Sequence, residues 1–376
     1  MFKRIIAIIG KETRELLRDP LYLGLALVVP MMIIIIMGEG MTLDVKNIPV
    51  AFYDRDRSAA SREYVSSFTN SEYFKLFGML DREGQAEELM ARGKIRLCIE
   101  IPENFSERLA GNKPVSVRVA VDGSFPSRSE VITGYVGAIN QQTNNLLLSR
   151  YKSVYGQNVS LPSTELIAIS WYNPTLESKN FLVPGLISTI LMFYPSLLAA
   201  LVVVREKEVG TIYNLYCSPV KGWEVVIGKA VPYIAISFVA YLLIFLLSVL
   251  FFEVRFTGSF FALTVSALLF LTCTVGYGLL ISIIASSQLA AMFITILTTM
   301  LPSFFYSGFL APVTSQSALG QFISAFLPST YFMYIVRGIY LKGASFAIIW
   351  PDLLALLIYA VILYFLAIAC FRKKVN

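Results

Sequence analysis

The chain has 376 residues, 56% of them hydrophobic and 15% charged, with a mean hydropathy of +0.67. That balance excludes a soluble globule and points to an integral membrane protein. The formal charge of +6 lies wholly outside Met41–Asn180, which holds 16 acids and 16 bases, so the basic excess reads as membrane topology and not as a nucleic-acid footprint.

Phe2–Arg18 has apolar residues at Phe2, Ile5, Ile6, Ile9, Leu16 and Leu17, with Lys3, Lys11, Glu12, Arg14, Glu15 and Arg18 on much of the other face. This helical period with a basic face predicts a helix (residues 1–19) lying along a membrane surface. Asp19-Pro20 then turns the chain into a first apolar span, within residues 20–40. The charged region is too long for a signal peptide and no small-residue cleavage site follows Met37, so the span is expected to stay as an anchor.

Residues 41–180 read as an inserted α/β domain. Strands are expected at Ile48–Tyr53, Tyr73–Leu80, Ile95–Ile101 and Val115–Asp122. Helices are expected from a Ser58 cap to about Phe68, at Gln85–Arg92, at Glu103–Leu109 and over Ser129–Tyr155. Asp54, Asp56 and Asp122 fall at strand ends, where α/β proteins often place sites. Turn and cap chemistry explains these residues more simply.

Five more apolar runs long enough to cross a bilayer follow, at Phe181–Val204, Ala230–Phe252, Ser259–Ala285, Leu289–Phe309 and Leu353–Phe371. Bases cluster at Lys3–Arg18, Arg205–Lys229 and Arg372–Lys374, which the positive-inside rule makes cytoplasmic. Six spans then place both termini inside and residues 41–180 outside. Trp171, Trp223 and Trp350 sit beside spans, as an aromatic belt requires. The loop 205–229 carries charges first, then Gly210 as a helix breaker, an amphipathic turn and Ser218-Pro219. It suits either a helix presented to a soluble partner or a solvated connector. In the outer segment 310–350, Ser324–Val336 is apolar but too short to cross. Pro328 interrupts it and Arg337-Gly338 is expected to close it. Re-entry into the membrane and packing on its surface both fit this stretch. As an outer gate, its candidates are Pro328, Tyr331, Met333, Arg337 and Gly338.

The spans themselves are bare of charge. Glu39, Lys229, Glu253, Arg255, Asp352 and Arg372 all fall at their predicted edges. An ion-coupled carrier normally needs a carboxylate inside, and a channel a more polar lining. No phosphate-binding G-x-x-x-x-G-K-[ST] occurs, so the force for transport has to come from another chain. Without histidine there is no pattern for an acid–base or metal site, and Ser218 beside a proline reads as a turn. The four cysteines lie in different predicted compartments and depths, so no disulfide within the chain and no metal site is expected.

Arg205-Glu-Lys-Glu-Val-Gly-Thr, followed by Ser218-Pro219 and Gly228-Lys229, resembles the E-x-G-T and S-P signature of ABC-2-type permeases. Tyr53-Asp-Arg-Asp-Arg-Ser, Ile101-Pro-Glu-Asn-Phe, Val121-Asp-Gly-Ser, Asn173-Pro174, Pro184-Gly185 and Arg337–Gly343 are similar to its multidrug-efflux-like branch. Val209 departs from the charged or polar residue common there. The resemblance implies the membrane subunit of a bacterial ABC exporter in the cytoplasmic membrane. It implies pairing with a second copy or a related permease, and two separate ATPase subunits that carry ATP and Mg. No cofactor, metal or nucleic acid is expected on this chain. Arg205, Glu206, Lys207, Glu208, Gly210, Thr211, Ser218 and Pro219 would couple to the ATPase. Lys3, Arg4, Lys11, Arg14 and Arg18 would form its N-terminal docking helix. The cargo implied is hydrophobic or amphiphilic, drug-like or lipid-like. The alternatives are a membrane-anchored receptor or scaffold that works through residues 41–180, and a membrane enzyme.

Overall fold

A computed structural model describes residues 2–40, 47–82, 84–111, 115–122, 126–155 and 178–371. The Trp171, Asn173-Pro174 and Arg372–Lys374 readings lie outside the described residues, as do Gly123 and Ser124 of the Val121 motif. The chain divides into two units, Leu43–Pro174 and the combination of Met1–Thr42 with Thr175–Asn376.

The smaller unit is the expected α/β domain. Its sheet runs β2-β1-β3-β4, with β1 Ile48–Asp54, β2 Phe74–Met79, β3 Leu97–Ile101 and β4 Arg118–Val121. β1 pairs in parallel with β2 and β3, and β4 closes the far edge antiparallel to β3. The alternation of side chains decides the two faces. Val50, Phe52, Leu97 and Ile99 point to one, where Phe68, Phe105 and Ile132 from the helices cover them. Ala51 and Cys98 point to the other, beneath Leu89 and Met90. Ser58 caps the helix Ala59–Thr69 by accepting from the Ser61 N–H. The three strands after β1 each start one to three residues later than the hydropathy pattern suggests.

Among the described residues, the larger unit holds six helices long and apolar enough to cross a membrane: Pro20–Gly40, Lys179–Val209, Gly222–Leu250, Phe260–Ile284, Gln288–Phe305 and Phe346–Cys370. They are called spans 1 to 6 below. The apolar stretch of span 2 is buried at the centre and span 4 lies against it. A Cβ on Gly278 of span 4 would come within 2.1 Å of the Ser196 carbonyl oxygen, so these two backbones touch directly. Ser196 Oγ donates to the Thr274 carbonyl across the same contact, at 2.9 Å. Spans 1 and 5 each contain a π-helical turn, Gly24–Val28 and Ile296–Met300. Each turn ends two residues before a proline, Pro30 or Pro302. Proline offers no N–H and its ring crowds the preceding turn, and the wider π turn accommodates both defects.

Three boundaries correct the sequence reading. Span 2 carries Arg205, Glu206, Lys207 and Glu208 in its last turns, and span 3 begins at Gly222 and so includes Lys229. The connector predicted over 205–229 therefore shrinks to little more than a turn around one short helix, Ile212–Cys217. Span 6 starts at Phe346, with Pro351 inside it. The stretch Ser324–Val336 is not one segment: Ala318–Ala325 and Pro328–Lys342 form a pair bent by 87°. Pro328 opens the second helix, where its missing N–H costs nothing. Arg337 and Gly338 sit inside that helix and do not close it. Gly343, with φ of +61°, ends it instead.

Candidate functional site

One end of the larger unit gathers most of the residues singled out by sequence. The N-terminal helix Phe2–Arg18 lies along span 3 there and buries a stripe of Ile8, Glu12 and Leu16. Ile6 and Leu17, expected on its apolar face, are exposed. Gly228 makes the contact possible, because a Cβ there would meet Ile8 Cγ2 at 2.8 Å.

Beside it lies a buried ion network. Lys229 Nζ sits 2.6 Å from Glu12 Oε1 and 3.0 Å from Glu206 Oε2, and Lys11 Nζ donates to Glu206 Oε1 at 2.7 Å. Lys229 is 1% exposed, Glu12 3% and Glu206 7%. Lys229 is the buried ammonium between two buried carboxylates, and half-exposed Lys11 supplies the second positive charge that lets those carboxylates be buried at tolerable cost. Glu15 also approaches Glu12 and Glu206, but the lysines supply the positive charge in this cluster. Burial alone would lower the Lys11 pKa. The hydrogen bond and charge of Glu206 outweigh it and hold the ammonium above its ordinary range.

A second set of contacts ties span 2 to its neighbours. Asp19 caps span 1 by accepting from the Leu21 and Tyr22 N–H groups, and also accepts from Arg205 Nη1 at 3.0 Å. Lys207 Nζ donates to the carbonyls of Ser282, Ile283 and Ala285, at 3.2, 2.5 and 3.0 Å, which are the free carbonyls at the C-terminal end of span 4. Glu208 accepts from the Gln288 backbone N–H at 2.7 Å and from its side-chain amide, at the N-terminus of span 5. A cation on a helix C-terminus and an anion on the next N-terminus both complement the helix dipoles.

Gly210, at φ +81°, ends span 2 in a left-handed cap. Thr211 and Ile212–Cys217 follow, with Ile212 buried and Val209 and Tyr213 exposed. Ser218 Oγ donates to the Leu215 carbonyl, and the Pro219 carbonyl accepts from Arg4 Nη1 at 2.7 Å. Glu224 then starts span 3 by accepting from the Lys221 backbone N–H at 2.8 Å. A cleft of about 690 Å³ opens between these parts, lined by Glu15, Arg18, Tyr22, Asn214 and Tyr233 among others.

Of the N-terminal basic residues, Arg4 and Lys11 grip the bundle. Lys3 and Arg18 are exposed, and Arg14 donates to its own helix at Gly10. Sequence reasoning missed Glu12, Asp19, Lys229, Ser282 and Gln288 as members of this site. The spacing of Ile8, Glu12 and Leu16, four residues apart, was the available signal for Glu12.

The other candidates fall elsewhere. Arg337 donates to the Gly308 and Phe309 carbonyls at 2.6 and 3.0 Å and lies 3.7 Å above the Phe181 ring. Tyr331 donates to the Ala325 carbonyl across the bend, and Met333 is buried. In the smaller unit, Asp54 accepts from the Asp56 and Arg57 N–H groups and from Ser61 Oγ. Asp56 accepts from Ser106, and Asp122 pairs with Arg96. Asp54 and Asp56 are occupied as turn and cap groups, and Asp122 in an ion pair.

The family profile described as ABC-2 family transporter protein matches residues 21–369. The chain is 31% identical to the probable multidrug ABC transporter permease YbhS of Escherichia coli K12, over 91% of this chain and 89% of that one. It is 30% identical to the permease YbhR of the same strain over the full length of both. The inner membrane transport permease YhhJ of that strain is 28% identical over 97% of this chain and 96% of its own. With six membrane-length helices, an inserted α/β domain and a match across nearly all of its length, the chain belongs to the ABC-2 family of transporter proteins and is a membrane permease of that family.

Proposed function

We propose that this permease is the membrane half of an ATP-driven exporter, working as a dimer with separate ATPase subunits that carry ATP and Mg. The end bearing the N-terminal helix and the Gly210–Lys221 turn faces the cytosol, and the α/β domain faces outward. The three basic clusters support that orientation. The helix Ile212–Cys217 acts as the lever, with Val209 and Tyr213 as its exposed contact points. The cargo is a hydrophobic or amphiphilic compound. The observation that carries this reading is how firmly both ends of the lever are held. Lys229, Glu206 and Glu12 lock one side into spans 2 and 3, and Lys207 and Glu208 fasten the other to the span 4–5 turn. A push on a helix held this way moves spans rather than a loose loop.

Co-purification with a co-expressed ATPase tests it. The complex in lipid should hydrolyse ATP faster than the ATPase alone, and Val209→Asp with Tyr213→Asp should remove that gain. ATP turnover indifferent to both the permease and its loop would instead favour a receptor or scaffold acting through the α/β domain.

A further inference from the structure

Serine and threonine hydroxyls inside membrane helices normally bond a carbonyl one turn back. Here Ser196, Ser266, Thr295 and Thr299 do so, donating to Met192, Ala262, Ala291 and Thr295. Ser188, Ser303 and Ser329 bond across helices instead. Ser237 of span 3 is the exception. It is 2% exposed, and its Oγ has no partner among the described protein atoms.

That hydroxyl borders a void of about 10 Å³ where spans 1, 2 and 3 meet, lined also by Ala26, Pro30, Leu191, Tyr194 and Pro195. Two of those residues are prolines within helices. Pro195 has no N–H to give the Leu191 carbonyl four residues back. Pro30 likewise withholds a donor from the π-helical turn that contains Ala26. Two prolines within helices and an unpartnered hydroxyl thus border one small space. A buried polar group left without a partner is destabilising, so such a hydroxyl calls for one. A water needs roughly 10–15 Å³ and polar partners; the void is of that size, and the Ser237 hydroxyl is the partner it offers from span 3.

We propose that this void is a binding site for one structural water, which accepts from Ser237 Oγ and donates to the Leu191 carbonyl and to a carbonyl of the span 1 π turn. The water is a hydrogen-bonded node joining three helices, each interrupted by a proline: Pro30, Pro195 and Pro232.

X-ray hydroxyl-radical footprinting of the full chain in lipid nanodiscs tests this directly, because a trapped water generates the radical where it sits. Tyr194, which lines the void, should be oxidised several-fold faster than Tyr241, a buried tyrosine bonded to Thr264. Ser237→Ala should bring Tyr194 down to the Tyr241 rate and leave labelling elsewhere unchanged. Equal rates for the two tyrosines in the unmodified protein would overturn the site, whatever the variant does. A cryo-electron microscopy map resolving other buried waters gives the second reading. Density about 2.7–3.2 Å from Ser237 Oγ is expected, and a dry void in such a map would also overturn the site.

Discussion

Lys229 Nζ and Glu12 Oε1 lie 2.6 Å apart, 217 residues distant in sequence and almost wholly out of solvent. The contact fastens the N-terminal helix to span 3. It also fixes Glu206, the carboxylate shared by Lys229 and Lys11.

Removing one member of a buried ion network strands its partner, at a cost of about 3–5 kcal/mol. Lys229→Met leaves Glu12 and Glu206 facing each other, so a loss of that size in thermal or denaturant unfolding is expected. Glu12→Met added to it should recover part of the loss, since Glu206 keeps Lys11. A single substitution costing under about 1 kcal/mol would show that the network does not hold the helix.

Gly210 should tolerate residues according to backbone conformation alone. Its φ of +81° is left-handed, and nothing lies within 4 Å of a Cβ built there. Gly210→Ala should cost about 1–2 kcal/mol, and Gly210→Asn clearly less. Gly228→Ala should fail for a different reason, since its Cβ would strike Ile8. Equal effects of Ala and Asn at position 210, compared by unfolding midpoint, would contradict the argument.

Arg337 depends on the absence of a side chain at Gly185, where a Cβ would come within 2.9 Å of the guanidinium and 2.7 Å of Phe309. Arg337→Lys loses the two-carbonyl grip on Gly308 and Phe309, because an ammonium cannot span both in the plane of a guanidinium. A loss of about 1.5–3 kcal/mol is expected. Gly185→Ala should lower stability as well, and pairing it with Arg337→Lys should be less than additive. A double-mutant cycle in detergent measures the coupling.

Cys98 should resist alkylation. It is buried, and burial first, with the nearby Glu100 charge adding to it, pushes its thiol up to about 11. Because the folded form holds its proton more tightly than the unfolded chain, this group's contribution to stability is complete below about pH 9. It declines as pH rises towards 11. A maleimide at pH 7.5 should therefore leave Cys98 unmodified until the domain unfolds, while exposed Cys217 reacts. Reaction of Cys217 only in inside-out vesicles would agree with the proposed orientation.

Much of this was readable from the residues. The alternation in Ile48–Tyr53, the Ser58 cap and the break at Gly210 reflect preferences within a few neighbours. The ends of spans 2 and 3 were not readable. Hydropathy stops at a charge, yet a helix continues as long as its charges find partners, and those of Arg205–Glu208 and Lys229 lie on other elements. The bend before Pro328 was signalled by that residue. The closure at Gly343 rather than at Gly338 was not, since either glycine could have taken a positive φ.

Amino-acid order by itself determined the membrane class, the number of spans, the inserted α/β domain and the family, because each rests on local hydropathy, periodicity or motif spacing. Only tertiary structure decided that Glu12, Glu206 and Lys229 share one site, that Lys207 and Glu208 hold the span 4–5 turn, and that Ser237 faces a void. Those facts depend on which helix faces touch, and contacts between residues some 75–217 positions apart leave no trace in local pattern.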